Sequence, residues 1–529
     1  MNLGDLIEVI QPSAVIGALD PETPVGSLHY GSREVISGGV FFAIPGFAVD
    51  GHAYIGDACS RSALAVVAQK RVETTVPLLQ VADSRAALAR AAAAFYGHPS
   101  QALTVIGLTG TNGKTTVSYL VENILRQTGL SPGVIGTVNY RYGDHVVPAA
   151  RTTPESLDLQ RILAEMRQHG VTHVVMEVAS HGLDLHRVDA CQFDVAAFTN
   201  LTQDHLDFHG DMARYWESKK SLFTRHLYQG PKATQARAVI NREDPYGAAL
   251  ANDLTGRHAL LTFGRTPASD IWPEVGQNDL TGLKAVLHTP RGSIAMDSPL
   301  VGAHNLENIL AAASCGIALE LPPEAIRAGI AATRAVPGRL EAIPDPAGRF
   351  IYVDYAHTPD ALENVLRALD ALRQGRLICV FGCGGDRDRR KRPLMGEIAA
   401  RLSDLAVVTS DNPRSEDPLA IIDDALEGVR RAAPRTLTAE EVRSGFAAPA
   451  HIVVPDRREA IALAICAAQS GDTVLIAGKG HETYQIIGPT TIPFDDREEA
   501  RQALAGLRLL HSAAALSFKD VLRRGPDRT

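Results

Sequence analysis

What most limits how this chain can fold is a repeated alternation of short apolar runs with helix-length segments. From Leu103 onward "LTVIGLTG", "THVVMEVAS", "FDVAAFTN", "ARAVIN" and "HALLTFG" follow one another in this way. Runs that are apolar throughout, rather than at every second residue, belong to strands covered on both faces. That is the condition of parallel sheets with helices on either side. The alternation restarts beyond "AATRAVPGR" with "RFIYVDYA", "RLICVFGCGG", "LAVVTSDNP", "HIVVPD" and "TVLIAGKG", interleaved with "TPDALENVLRALDALR" and "PLMGEIAARL". This second set reads as a Rossmann-like, doubly wound sheet. Ahead of both, "GVFFAIPG", "ALAVVAQ" and "PLLQVAD" alternate with Gly and Pro turns and close on the alanine-rich "SRAALARAAAAFYG". At 529 residues the chain is too long for one core. The predicted division is 1–98, 99–335 and 336–514, all α/β, with "HPSQ" as the first linker and 515–529 as a loosely attached tail.

Composition excludes some functions. The chain is 45% hydrophobic and 21% charged with a net charge of −8, and its one basic stretch is "FKDVLRRGPDR" near the end. A nucleic-acid binder would carry a concentrated basic face, so no nucleic-acid partner is expected. "MNLGDLIEVIQPS" has acids within its apolar residues and no basic lead-in, which is not a secretory signal. No apolar run reaches the ~20 residues a membrane helix needs, so a cytoplasmic protein without membrane insertion is expected. Six cysteines are scattered; Cys379 and Cys383 are the one close pair and lack the second pair of a zinc site. Free thiols in a reducing compartment are the expectation.

"TVIGLTGTNGKTTVSYLVENIL" sets a glycine-rich turn between a strand and an amphipathic helix. Backbone N–H groups from Gly110 to Lys114, with the positive helix end, suit β- and γ-phosphates. Lys114 would neutralise phosphate charge, and Thr115 could ligate Mg²⁺. The spacing is tighter than the common P-loop, which would want glycine at Leu108. The bland alternative is a glycine-rich turn with an incidental lysine.

The string G-T-N-G-K-T-T, Gly110 to Thr116, closely resembles the ATP loop of the Mur ligases, which build the peptide of bacterial peptidoglycan, and of folylpolyglutamate synthetases. Both families join a carboxylate to an amine. The resemblance implies ATP as co-substrate, bound by Gly110, Thr111, Asn112, Gly113, Lys114, Thr115 and Thr116, and an acyl-phosphate intermediate. Two anions must meet to form it, so Mg²⁺ and cationic side chains have to offset their repulsion. The resemblance assigns catalysis to Lys114, Glu177, His205 and Lys219. It assigns the metal to Thr115, Glu177, His205 and Lys219, the last as a carbamate. Taken singly, Glu177 reads as a salt-bridge partner, His205 as a turn cap and Lys219 as a solvated helix lysine.

"HYGSREVISGG" resembles the uridine-binding segment of the tripeptide-forming members, with Ser32 and Arg33 as its S-R pair, and "GFAVDG" a variable loop after it. This makes the N-terminal domain a small uridine-binding one, the central domain a P-loop-type mononucleotide-binding one and the third the Rossmann-like one. Thr152 and Thr153 in "RTTPES", with Ser180 and Arg187, match further contacts to the UDP-precursor. Leu185 and Arg151 depart from residues some members carry, glutamine and asparagine. Capping of the helix in "PESLDLQRIL" is the local alternative for the two threonines. Asn241, Asp244, Asn305, Asn308, Arg339, Asp354, Tyr355 and His357 resemble adenine, ribose and phosphate contacts, of which Asn305, Arg339, Asp354 and His357 are the ATP set. Arg339 at a hinge would couple closure to chemistry.

The third domain should choose the amino acid. "FGCGGDRDRRKRPLMG" is not a dinucleotide fingerprint, because Arg387 stands where that pattern needs glycine. Arg387 instead resembles an amino-acid-binding arginine of the tripeptide ligases, joined by Asp411, Asn412, Pro413 and Arg414 in "DNPR" and Gly478 and Glu482 in "AGKGHETYQ". meso-Diaminopimelate is lysine with a second carboxylate, which a planar guanidinium takes in two parallel charge-assisted bonds. L-Lysine would leave Arg414 facing a like charge. An Asx turn, with Asp411 and Ser415 capping the next helix, is compatible with that role. The expectation is a monomeric, ATP- and Mg²⁺-dependent ligase adding meso-2,6-diaminopimelate to UDP-N-acetylmuramoyl-L-alanyl-D-glutamate. The lysine-adding ligase of the same step and a folylpolyglutamate synthetase-like ligase are the alternatives, with an ATPase switch or motor as the reading from another class.

Overall fold

The computed structural model describes residues 1–46 and 49–508. Phe47 and Ala48 of "GFAVDG", and the tail expected at 515–529, lie outside the described residues. Two compact units result: one comprises residues 1–274, 286–295 and 307–332, the other residues 275–285, 296–306 and Thr333 onward.

The first unit holds two sheets. A five-stranded sheet runs in the order Ala14–Ile16, Leu78–Gln80, Ala65–Ala68, Gly39–Phe42, Ser27–His29, with only the first strand antiparallel. The alanine-rich helix Ser84–Phe95 starts where Asp83 accepts from the N–H groups of Arg85 and Ala86. Such a cap satisfies donors that a helix start leaves open. Ala87, Leu88, Ala91 and Ala92 are then buried with Val40, Phe42 and Leu79 of the sheet. "HPSQ" is not a loose linker: Pro99–Ala102 is a helical turn with Pro99 and Ser100 buried, and Ser100 Oγ accepts from Gln192 N.

The eight-stranded sheet runs Ala259–Phe263, Arg237–Asn241, Val195–Phe198, Thr104–Thr109, His173–Glu177, Pro132–Ile135, Asn139–Tyr142, His145–Pro148. The first six strands are parallel and the last two form an antiparallel extension that the alternation did not announce. Glu177 pairs with Leu108, and Phe198 with Thr109. The carboxyl ends of both neighbours therefore flank the start of the glycine-rich turn. In an open parallel sheet this is where ligands bind.

The second unit holds a six-stranded sheet in the order Glu341–Ile343, Phe350–Asp354, Thr473–Ala477, Leu377–Phe381, Leu405–Val408, Ala450–Val453, parallel except for the first strand. Helix Pro359–Asp370 shows why these segments fold as they do. Thr358 caps it, Pro359 begins it, and Leu362, Val365, Leu366 and Leu369 fall on one buried face. Each such side chain taken out of water contributes about 1.5–3 kcal/mol. Two elements beyond the sequence expectations complete the fold. They are a three-stranded sheet of Trp272–Asp279, Gly282–Thr289 and Gly292–Ser298, and a hairpin of Tyr484–Ile487 with Thr490–Pro493. Among the described residues no helix is long and apolar enough to cross a membrane.

Candidate active site

The glycine-rich turn opens with Gly110 at φ +145 and ends with Gly113 at φ +89, the N-cap of helix Lys114–Arg126. Side chains cannot be added at either place. A Cβ on Gly110 would stand 1.9 Å from Thr199 Oγ1, and one on Gly113 2.2 Å from Asn308 Oδ1. Thr199 and Asn200, at the end of the neighbouring strand, brace the turn. Thr111 N donates to Asn200 O (2.8 Å), Asn112 N to Asn200 Oδ1 (2.9 Å), and Thr199 Oγ1 to Asn112 O (2.6 Å). The N–H groups of Thr111 and Asn112 are thus engaged within the protein. Lys114 Nζ lies over the turn, donating to Gly110 O (2.8 Å) and Thr111 O (2.9 Å).

Glu177 is buried at its strand end and gathers three donors. Thr115 Oγ1 lies 3.2 Å and Thr137 Oγ1 2.9 Å from its Oε2, and Thr137 N is 3.0 Å from its Oε1. It is not the salt-bridge partner that its bland reading suggested. Thr137 was missed in the sequence; its signal is a hydroxyl just past the strand Pro132–Ile135, next to the strand carrying Glu177.

Lys219 is not solvated either. It lies in helix Met212–Ser221, is 1% exposed, and donates to Gly110 O at 2.7 Å, with Nζ 4.6 Å from the Tyr215 ring centroid. Burial, and then the nearby Lys114 charge, push its pKa well below the ordinary lysine value. The amine is held towards its neutral form. His205 precedes the short helix Leu206–His209 in a left-handed conformation, and its side chain caps nothing; its ring meets His181 edge-on at 4.8 Å. Burial lowers the His181 pKa to about 4.

Thr152 and Thr153 do not cap the following helix, whose N-cap Glu155 makes no side-chain cap bond. Thr153 Oγ1 donates to Glu177 O (2.9 Å) and accepts from Ala179 N (3.0 Å), tying the "RTTPES" loop to the Glu177 strand end; Thr152 Oγ1 meets Thr137 Oγ1 at 3.0 Å. Arg187 donates to Thr153 O (3.0 Å) and, with Arg85 and Arg151, pairs with the buried Glu155. Ser180 Oγ meets His209 Nε2 at 2.9 Å. Ser32 is buried in a single helical turn, with Arg33 exposed beside it. Asn241 Nδ2 donates to Thr199 O (2.7 Å), and Asp244 caps helix Pro245–Leu254 while accepting from Leu201 N.

In the second unit the strand ends converge again. Asp354 is buried, accepts from Leu340 N (2.7 Å) and Ala356 N (2.8 Å), and has its pKa raised by burial. The Arg339 guanidinium lies 4.8 Å from the Tyr355 ring centroid, and His357 Nδ1 meets Tyr355 O at 2.7 Å. Asn305 is buried and donates to Val301 O (2.9 Å).

The glycines of "GCGG" let two loops touch backbone to backbone: Gly385 N donates to Asn412 O (2.9 Å), and a Cβ on Gly385 would lie 1.9 Å from Pro413 O. A Cβ on Gly384 would stand 3.1 Å from Arg414 Nη1. Arg414, at φ +53, donates through Nη1 to Gly385 O (2.6 Å). The unforeseen hairpin holds its main chain, with Arg414 N donating to Ile486 O (3.0 Å) and Gly488 N to Arg414 O (2.7 Å). Asn412 Nδ2 donates to Glu482 Oε2 at 2.9 Å. Burial and the Asp411 charge raise the Glu482 pKa. Arg387 is exposed on the loop before helix Lys391–Leu402. Arg392, buried and passed over in the sequence, clamps Glu416 (2.7 Å) and Asp424 (2.8 Å), and its hydrogen bonds lower the Glu416 pKa to about 2. The cap of the following helix is Asp417, accepting from Leu419 N, rather than Asp411 or Ser415; Ser415 Oγ donates to Asp386 (2.6 Å).

Known proteins resemble this chain over most of its length. Residues 24–96 match the Mur ligase family catalytic domain, 108–316 the Mur ligase middle domain and 338–480 the Mur ligase glutamate ligase domain. A Geobacter metallireducens protein named UDP-N-acetylmuramoyl-L-alanyl-D-glutamate--2,6-diaminopimelate ligase is 50% identical over 509 residues, covering 96% of this chain and 99% of its own. The chain belongs to the Mur ligase family. A Geobacter sulfurreducens relative of the same name is 47% identical over 94% of this chain and 98% of its own. A solved structure of a ligase with that name matches at TM-score 0.68 and 32% identity, covering 96% of this chain and 99% of its own. In this Mur ligase the Lys114, Glu177 and Lys219 cluster falls within the middle-domain match. Arg339, Asp354 and the Asp411–Arg414 loop fall within the glutamate ligase domain match, and Glu482 lies just past its end.

Proposed function

We propose that this Mur ligase uses ATP to join meso-2,6-diaminopimelate to UDP-N-acetylmuramoyl-L-alanyl-D-glutamate in peptidoglycan precursor synthesis, in the cytoplasm and as a monomer. The carboxylate oxygen of the precursor attacks the γ-phosphorus, and ADP leaves. The amine then attacks the acyl carbon, phosphate leaves, and the nitrogen loses its proton to give the amide. Lys114 sits where it can meet phosphate oxygens, and the positive start of helix Lys114–Arg126 faces the same charge. Thr152, Thr153, Ser180 and Arg187 orient the precursor, with Ser32 on its uridine end. Asn305, Arg339, Asp354 and His357 serve the nucleotide.

The donor set fits one hard divalent cation. Thr115 Oγ1 and the buried Glu177 carboxylate are oxygen donors 3.2 Å apart. Lys219 as an amine adds no ligand, but its depressed pKa gives it the lone pair that CO₂ needs, and the resulting carbamate is an oxygen donor. Mg²⁺ held by Thr115, Glu177, the Lys219 carbamate and His205 would offset negative charge where the phosphate and carboxylate meet.

The observation that carries the choice of amino acid is Arg414. Its guanidinium is presented on the loop after the strand Leu405–Val408 by a backbone fixed on both sides, near Asn412 and Glu482. A second carboxylate on the ligand answers that cation, and an ammonium does not. A ligation assay with radiolabelled amino acids tests this: meso-diaminopimelate should be incorporated far faster than L-lysine. Faster lysine incorporation defeats the assignment.

A further inference from the structure

Lys479 lies between Gly478 at φ +120 and Gly480 at φ +53. A Cβ on Gly480 would stand 2.6 Å from Tyr355 Cβ, so the chain can make this double turn only with glycine there. The turn drives the lysine inward until its side chain is 0% exposed. A buried ammonium must find partners for its three N–H groups. Nζ donates to Asn412 Oδ1 (2.8 Å) and Tyr484 O (2.9 Å), lies 3.1 Å from Asp411 Oδ1, and has Glu482 Oε2 at 3.9 Å.

Two groups that can only donate converge on one atom of Asn412, since Ile486 N also reaches Oδ1, at 3.0 Å. Only the oxygen of that amide can lie between them. Its NH₂ is therefore turned the other way, to Glu482 Oε2 at 2.9 Å. The order of donor and acceptor along this wall follows from a lysine that is itself sealed from solvent.

We propose that Lys479 is a positioning residue of the amino-acid site. It holds the Asn412 amide with NH₂ towards Glu482 and places a fixed cation between Asp411 and Glu482, and so sets the polarity that the incoming amino acid meets. This rests on the reading that Asn412 and Glu482 hold that amino acid. The charged and titratable groups facing Glu482 are Asp411, Lys479, Arg414, Arg457, Tyr355 and Tyr484. Lys479 favours the ionised form of Glu482, against burial and Asp411. Removing the lysine raises the Glu482 pKa, and a protonated Glu482 no longer offers an ammonium a negative charge.

The test uses the full chain as Lys479→Met and Lys479→Gln. In Lys479→Met the KM for diaminopimelate should rise about 10- to 150-fold, the worth of one charged hydrogen bond, while the KM values for ATP and the UDP-precursor hold. Lys479→Gln keeps one donor for Asn412, so its KM should rise less. In both variants the acid limb of kcat/KM for the amino acid should move to higher pH, which loss of packing alone would not do. Should the methionine variant fail to fold, the glutamine variant carries the test. Unchanged amino-acid KM and acid limb overturn the inference. So does a uniform loss across all substrates with a lowered Tm and an unmoved acid limb. If the wild type turns over lysine instead, the substrate reading falls. The same comparison made with lysine then decides Lys479 separately.

Discussion

Replacing Arg414 by lysine separates the shape of the cation from its charge. The backbone there has φ +53, which costs arginine and lysine alike, so the exchange adds no strain. One guanidinium N–H is engaged with Gly385 O, leaving a fork that can take a carboxylate in two parallel bonds. An ammonium keeps the charge but can supply one of the two. The loss is one charged hydrogen bond, about 1.5–3 kcal/mol. That is a fall of about 10- to 150-fold in kcat/KM for diaminopimelate. The bond to Gly385 O lies at a partly exposed loop, so Tm should move little. The assay is initial-rate kinetics with diaminopimelate varied at saturating ATP and UDP-precursor, repeated with ATP varied, alongside a thermal melt. An equal loss in ATP affinity, or an unaltered kcat/KM for diaminopimelate in a folded variant, would refute the reasoning.

Lys219→Ala should abolish ligation, with partial return on adding small carboxylates, read by product formation. Lys219→Met should stay folded within about 1 kcal/mol, because Gly110 O still accepts from Lys114. Full activity in either variant would dispose of the carbamate. Gly113→Ala puts a Cβ 2.2 Å from Asn308 Oδ1 at φ +89 and should weaken ATP binding at least about 10-fold in a nucleotide titration; unchanged affinity would mean the turn is not the cradle. His186 lies 2.7 Å from Asp189 and 3.7 Å from Asp83, and the Asp189 hydrogen bond raises its pKa above 6.5. Its stabilisation is full below the unfolded value and fades as pH rises through the folded one. His186→Gln should therefore cost up to about 1 kcal/mol near pH 6 and much less near pH 9 in urea unfolding, and a pH-independent difference would refute the pairing.

The parts legible from sequence are those that local pattern encodes. The apolar runs became the parallel strands of two large sheets, and the glycine-rich turn lies at a strand end as its spacing required. Glu177 closes an apolar run, but the roles of Glu177 and Arg414 came from the family resemblance and not from local pattern. Local pattern failed where the decisive partner is far along the chain. Thr153 looked like a helix cap, yet its hydroxyl bonds a strand end 24 residues away. Lys219 looked solvated, because ten residues of helix cannot reveal that Gly110, 109 residues distant, closes over it. The hairpin Tyr484–Pro493 has short, mostly exposed strands, so neither period nor burial marks it. Asp411 and Ser415 had the chemistry of caps, but the helix begins later, at Pro418, and Asp417 took that place.

The hairpin grips position 414 through an N–H and a C=O, never through the side chain. The main-chain bonds that hold that residue are thus independent of its side chain, although its φ of +53 limits which residues fit there. If Arg414 selects the amino acid, as proposed above, a lineage could alter that choice by exchanging one side chain while the main-chain frame that presents it stays in place.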